Sequence, residues 1–313
     1  IKMVVNGKTY AFKNGVCTQG MVYNKDMFKK VGIVDENGEP TPPNTFDEMR
    51  SYAKRLTNAD KYEYGIITPM AWDEWFSSDI LYPSMSSSGF LDYNKKTEKY
   101  DYSAIKKVAQ CFLDMKSDGS IMPGEMLLNN DQARERFAEG DIGMKMAYSF
   151  DVGVLNDQFV AKCDWGVAKY PTIDAAVRYP SRMTYDITSL MNAQSLRTVG
   201  GIKMLKVIKL FMSDEAVAHN YKEGITIPYD TKVMRQVPLG KNTKNGWKTF
   251  CDFVYDSTNY DGFPEYRPDA EKSLGDVFLE DVWTGKRELN EAFDSYEKTV
   301  NEAIEANAEQ DGV

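Results

Sequence analysis

The chain holds a single histidine, His219, in 313 residues. An ordinary Ser-His-Asp triad therefore has one possible base, and histidine-rich metal sites are excluded by count. His219 lies in a helical stretch, Asp214 to Tyr221, beside Val217 and Ala218, and is expected to be structural or surface-facing. Cysteine is scarce and dispersed: Cys17, Cys111, Cys163 and Cys251 form no CxxC pair. That pattern speaks against a zinc ribbon or a redox dithiol and predicts scattered free thiols. No GxGxxG, GxxxxGKS/T or GxSxG motif is present, so no dinucleotide loop, phosphate loop or nucleophile elbow is supported. No apolar run approaches membrane-spanning length, and no signal peptide opens the sequence. An exported form is expected to have its leader removed. Acidic residues outnumber basic ones, 47 to 38, and no basic stripe exists. Nucleic acid and anionic membrane surfaces are thereby disfavoured as partners.

What is present belongs to a soluble globular protein: 42% hydrophobic residues, with 19 Tyr, 15 Phe and 5 Trp, enough to bury a sizeable core. The length predicts two domains. Ile1 to Val5 and Lys8 to Phe12 read as a hairpin around Asn6-Gly7. Gly20 to Tyr23 continues as strand into a short helix over Asp26 to Val31, which Gly32 ends. Thr45 with Glu48 three residues on is a capping box for a helix whose apolar face is Phe46, Met49, Tyr52, Ala53 and Leu56. Gly65-Ile66-Ile67 is a buried strand stopping at Pro69. Trp72 to Tyr82 is an aromatic helical segment leading to a Ser/Gly loop at Ser84 to Gly89. Tyr102 to Met115 and Asp131 to Glu139 are helices, and Ile142 to Ala147 and Trp165 to Ala168 are strands. Tyr185 to Met191 is a candidate strand, and a helix follows around Ile202 to Met212. The next helix starts with Asp214 as its cap. Glu288 to Ala308 is a long closing helix, and the tail from Glu309 is expected to fray. Strands and helices alternate, so the class is α/β.

An enzyme would have to work with paired carboxylates. Asp73-Glu74 and Glu280-Asp281 are such candidates for glycoside hydrolysis, but any acidic chain offers dozens, and a solvated acidic face is the expected reading of each. A carbohydrate-active enzyme stays as the alternative function.

Six segments occur in a telling order. They are Asn6-Gly7-Lys8-Thr9-Tyr10-Ala11 with Val22-Tyr23-Asn24-Lys25-Asp26-Met27-Phe28; Pro42-Pro43-Asn44-Thr45-Phe46-Asp47-Glu48; Phe137-Ala138-Glu139-Gly140-Asp141-Ile142-Gly143-Met144; Asp164-Trp165-Gly166-Val167-Ala168-Lys169-Tyr170-Pro171; and Gly224-Ile225-Thr226-Ile227-Pro228. In that order and spacing the chain resembles the family 1 extracellular solute-binding proteins, the maltose-binding-protein-like group. The resemblance implies a type II periplasmic-binding-protein fold of two lobes joined by a hinge. It also implies a non-catalytic role: capture of a solute, a mono- or oligosaccharide, in the interlobe cleft and delivery to the permease subunits of an ABC importer in the membrane. Polyamine, peptide and metal are alternative ligand classes, and no cofactor is implied. The location implied is extracytoplasmic, as a periplasmic protein or a cell-surface lipoprotein, and the state monomeric. Members carry most of a first lobe ahead of the NGK strand, so the N-terminal lobe is expected to be incomplete here by roughly a hundred residues. The family's crossings assign residues 1–18 and 183–219 to lobe 1, and 19–182 and 220–313 to lobe 2.

Sugar rings have apolar faces and polar rims, so aromatic platforms and planar hydrogen-bonding groups are expected in the cleft, which hinge closure then seals. The resemblance points to Trp72, Asp73 and Trp75 after Pro69, with a core role open for Trp75. It points also to Tyr148, Phe150 and Asp151 after the GMKM strand, where Phe150 stands in place of the family's usual tryptophan. Tyr266 and Arg267 form a further aromatic-plus-donor pair. Asn14 and Cys17 match the crossover facing the cleft, the cysteine replacing a polar or acidic residue, and Tyr185 and Asp186 would contribute from lobe 1.

Overall fold

The computed structural model describes residues 2–5, 8–72, 74–174, 181–187, 193–256, 258–259 and 272–311. Ten strands organise it: β1 (Lys2–Val5), β2 (Lys8–Asn24), β3 (Tyr64–Ile67), β4 (Tyr93–Asn94), β5 (Lys99–Tyr100), β6 (Ile142–Tyr148), β7 (Trp165–Ala168), β8 (Ser181–Ile187), β9 (Ile227–Pro228) and β10 (Thr258–Asn259). All but the small β4–β5 hairpin share one mixed sheet. Its spine is β2, 17 residues and so roughly 55 Å long.

The spine changes partners along its length. On one edge it pairs antiparallel with β8, from Phe12↔Ile187 to Gln19↔Ser181, and then with β7, from Met21↔Ala168 to Asn24↔Trp165. On the other edge β1 comes first, β9 then meets Gly15 and Val16, and β6 takes over from Gln19↔Tyr148 to Tyr23↔Met144. The register slips between Lys13 and Gly15, which places Asn14 in a bulge. A Cβ on Gly15 would lie 2.2 Å from Thr226 Cγ2, so three strands meet there only because the residue is glycine. β3 adds in parallel to β6, and β10 in parallel to β8.

Alternation along β2 sorts two cores onto the two faces of the sheet. Met21 and Tyr23 face one core, with Met144, Met146 and the aromatic group Trp75, Phe76, Phe112, Phe278 and Phe293. Phe76 and Phe278 lie 4.6 Å apart by ring centroid, and Trp75 meets Phe112 edge-on. Val22 and Val16 face the other core, with Ile67, Phe137, Trp165, Trp247 and Phe250. Helix Phe46–Leu56 lies against β3 so closely that a Cβ on Gly65 would meet the Ala53 carbonyl oxygen at 2.1 Å.

Most expected elements are present. β1 and β2 pair as the hairpin reading required, the Asn6-Gly7 turn lying outside the described residues. Thr45 caps its helix by accepting the Glu48 N–H, whereas the Glu48 carboxylate takes the Asn44 N–H instead of closing the box on Thr45. Three readings are corrected. Ser84 to Gly89 is no loop: a π-helical turn, Phe76–Leu81, runs into helix Tyr82–Ser88, and only Gly89, at φ 69°, ends it. Ser84, Ser86 and Ser87 are buried there, so packing overrides the loop-like composition. Ser213, not Asp214, caps helix Asp214–Lys222, its side chain accepting the Ala216 N–H. The closing helix Leu289–Asp311 holds its form through part of the tail expected to fray. Helix Gly201–Phe211 buries Ile208 but leaves Ile202, Leu210 and Phe211 exposed. No helix among the described residues is long and apolar enough to cross a membrane.

Candidate solute site

β6 is buried along its whole length and ends at Tyr148, where the chain turns through Ser149 and Phe150 into the short helix Asp151–Gly153. The turn throws Phe150 outward, 37% exposed, while Tyr148 and Asp151 on either side stay buried. The Tyr148 and Phe150 rings are parallel within 5°, with centroids 4.9 Å apart. Phe150 is thus an accessible ring backed by a second, immobile one.

The backing is held by charge. Asp151, 1% exposed, accepts the Tyr148 N–H at 3.0 Å and Arg134 Nε at 2.7 Å. Arg134 comes from helix Asn130–Glu139, its Nη2 2.6 Å from Asp151, its Nη1 donating to Asp131 at 2.7 Å, and its guanidinium carbon 5.5 Å from the Phe150 ring centroid. The Lys145 ammonium, 1% exposed, donates to the Met146 carbonyl at 2.8 Å and stands 3.9 Å from Asp151. On the far side the Tyr148 hydroxyl donates to Asp79 Oδ1 at 2.5 Å. Asp79 sits in the π-helical turn, 2% exposed, and its Oδ2 has no hydrogen-bond partner among the described residues.

Burial outweighs the cations around Asp79 and pushes its carboxyl up to about 6, with Lys145 and the Tyr148 hydroxyl pulling the other way. Burial likewise lowers the Lys145 ammonium, opposed by Asp151 and Asp79. The Tyr148 phenol is pushed well up by burial and by Asp79, so it stays a donor. Gln19, the residue at which β2 changes partners, closes the cluster by donating to the Ser78 carbonyl at 2.7 Å.

Six of the twelve expected site residues have described side chains. Phe150, Tyr148 and Asp151 come together as above. Cys17 is fully buried, its sulfur accepting from the Ser149 hydroxyl at 3.4 Å within the turn. Trp72 is half-buried at the edge of the first core. Trp75 is corrected: at 1% exposure, among Phe76, Phe112 and Phe278, it is core. Asn14, Tyr185 and Asp186 are placed by backbone alone, at the bulge in β2 and on β8 opposite Gly15 and Lys13. Asp73, Tyr266 and Arg267 lie outside the described residues. Sequence reasoning missed Asp79, Arg134, Lys145, Asp131 and Gln19. Lys145 did carry a signal, a lone charge inside an otherwise apolar strand. Among the acidic pairs, Glu280 and Asp281 are both bridged by Lys272, a surface ion-pair arrangement. His219 is exposed and all four cysteines are free thiols. A groove of about 560 Å³ lined by Phe46, Arg50, Lys107, Cys111 and Leu289 shares no residue with the Phe150 cluster.

The family model for bacterial extracellular solute-binding proteins matches residues 4–194. The chain belongs to that family. It is a family of binding proteins and not of enzymes, and its members act outside the cytoplasm. The sn-glycerol-3-phosphate-binding periplasmic protein UgpB of Escherichia coli K12 is 24% identical over 327 residues, covering 92% of this chain and 65% of UgpB. The chain spans 45% to 65% of the length of the curated relatives it matches. A solute-binding protein of Thermotoga lettingae bound to α-D-tagatose superposes with a TM-score of 0.71 at 17% identity, covering 96% of this chain and 74% of the other. MalE3 of T. maritima, bound to maltose, gives 0.69 at 15% identity, covering 95% and 73%. At these identities the likeness shows the fold, that of the type II periplasmic binding proteins.

Proposed function

We propose that the chain is the solute-capturing part of an ABC importer and that it binds a neutral sugar or polyol against Phe150, for delivery to permease subunits in the membrane. The observation that carries this reading is the exposed Phe150 ring, backed by Tyr148 and standing at the carboxyl end of β6. Ligands of open α/β sheets bind at such strand ends, and an aromatic face suits the apolar face of a sugar ring. Charge supports a neutral solute. Around Phe150 the described cations, Arg134 and Lys145, already face Asp131, Asp151 and Asp79. The names of the structural neighbours, tagatose- and maltose-bound, agree with a sugar. UgpB's name, which specifies a phosphate ester, marks the competing ligand.

The reading includes two lobes, 1–18 with 183–219 and 19–182 with 220–313. The exchange of β2's partners at Gln19 supports that boundary. It also assigns Phe150 and Trp72 to contact with solute, and Tyr148, Asp151 and Cys17 to holding the turn. Calorimetric titration with D-tagatose, maltose and raffinose tests it. A member of this panel should bind, and Phe150→Ala should weaken it by roughly tenfold or more, as loss of an aromatic contact in a desolvated site does. Affinity indifferent to Phe150→Ala would sink the assignment of the site. Product formed from any of these sugars would sink the binding-protein reading altogether.

A further inference from the structure

The Arg134 guanidinium stands 5.5 Å from the centroid of the exposed ring, and two carboxylates divide it. Asp151, fully buried, takes Nε and Nη2 from one side. Asp131 takes Nη1 from the other, and its side chain is 66% exposed. The two carboxylates differ in what else they do. Asp151 also accepts the Tyr148 N–H and faces Lys145, so it is part of the scaffold. Asp131 pairs with Arg134 at the solvent side of the guanidinium that stands over the Phe150 ring. A solute stacked on that ring lies close to the Arg134 guanidinium, whose carbon is 5.5 Å from the ring centroid. Asp131 is the second carboxylate on a guanidinium that Asp151 already pairs, so it decides whether this edge repels an anion.

We infer that Asp131 is a specificity-determining residue: it neutralises Arg134 at the edge of the Phe150 site and so rejects phosphorylated polyols in favour of neutral ones. The inference deepens the proposed function and rests on Phe150 marking the solute site. Its physical basis is the geometry of the guanidinium, a rigid fork that pairs with a phosphate as readily as with a carboxylate. With Asp131 ionised, an incoming phosphate competes for Nη1 against a carboxylate already in place and meets its repulsion. With asparagine at position 131 the repulsion is gone, and the phosphate outcompetes a neutral amide oxygen for Nη1. A plain structural role gives a different expectation. Asp131 lies in the first turn of its helix, three residues before Arg134, where an acidic residue supports the helix and adds nothing to ligand choice.

The test titrates the wild-type chain, Asp131→Asn and Asp131→Glu with sn-glycerol 3-phosphate, and in parallel with D-tagatose and maltose. Asp131→Asn should bind sn-glycerol 3-phosphate roughly ten- to a hundredfold more tightly than wild type, the worth of one charge-assisted hydrogen bond. Asp131→Glu should restore rejection, and neutral-sugar affinity should change less than threefold across the series. The inference is overturned if Asp131→Asn stays within twofold of wild type for the phosphate, if Asp131→Glu gains as much as Asp131→Asn, or if wild type already prefers the phosphate. A wild type that binds neither neutral sugar refutes the sugar reading separately. The phosphate comparison between variants still decides the role of Asp131 in that case.

Discussion

Trp75 and Phe150 are both large aromatic residues that the family pattern places at the cleft, and their surroundings give them opposite tasks. Trp75 fills the first core, so Trp75→Ala should cost about 3–5 kcal/mol in denaturant unfolding, the range for a fully buried aromatic. Phe150→Ala removes a partly exposed ring and should cost no more than about 1 kcal/mol while abolishing most solute affinity. A large stability loss at Phe150 would show that the ring is structural. Asp79 makes a pH-dependent prediction. Its carboxyl is raised from the usual 3.8 to about 6, so the folded state holds this proton more tightly than the unfolded chain. A raised acid favours the fold when protonated. The strain of its charge is therefore fully felt above pH 6 and is relieved as pH falls toward 4. Asp79→Asn removes the titration. Its melting temperature relative to wild type should be higher at pH 7.5 than at pH 5, by an energy on the order of 1 kcal/mol. A difference that does not vary with pH would place the Asp79 carboxyl at its ordinary value.

Among the elements, helix Phe46–Leu56 and β3 show how closely two pieces can approach when one residue lacks a side chain. A methyl at Gly65 has Ala53 backbone within 2.5 Å, so helix and strand must separate to admit it. Gly65→Ala should cost about 1–3 kcal/mol by the overpacking route, read as a lowered denaturation midpoint with unchanged slope. Wild-type stability in that variant would mean the helix moves freely. Elements of this kind were largely legible in the sequence, because hydrophobic spacing and caps are local signals: the helix after Thr45, the strand before Pro69 and the closing helix stand where their patterns put them. The serine-rich helix Tyr82–Ser88 was illegible for a physical reason. Serine composition reads as turn, but here three serines are buried against the core and the Ser87 hydroxyl is spent on the Pro171 carbonyl at 2.6 Å, a tertiary contact no local pattern shows. The site was legible only in part. Phe150, Tyr148, Asp151 and Lys145 are close in sequence, whereas Asp79 and Arg134 reach them from two separate elements. Such a meeting leaves no spacing to read.

At the scale of the whole molecule, the described residues form two cores on opposite faces of a shared sheet, and each holds buried tryptophans that report on it, Trp75 and Trp283 in one and Trp165 and Trp247 in the other. Since Met21 and Val22, adjacent on β2, belong to different cores, neither core can dissolve without exposing the strand that builds the other. Unfolding followed through one core's tryptophans at a time, in a variant carrying Phe at Trp165 and Trp247 and in another carrying Phe at Trp72, Trp75 and Trp283, should give coincident transitions. Separate midpoints would show that the cores melt independently. Solute should raise both by the same amount, about 3 kcal/mol at a hundredfold excess over the dissociation constant. The exchange of partners along β2 has a consequence for the amide protons themselves. Val16 to Thr18 are tied to β8, while Met21 to Asn24 are tied to β6 and β7. Deuterium uptake along this one strand therefore reads two opening reactions at once, each in its own run of residues, with Gln19 as the point where one clock hands over to the other.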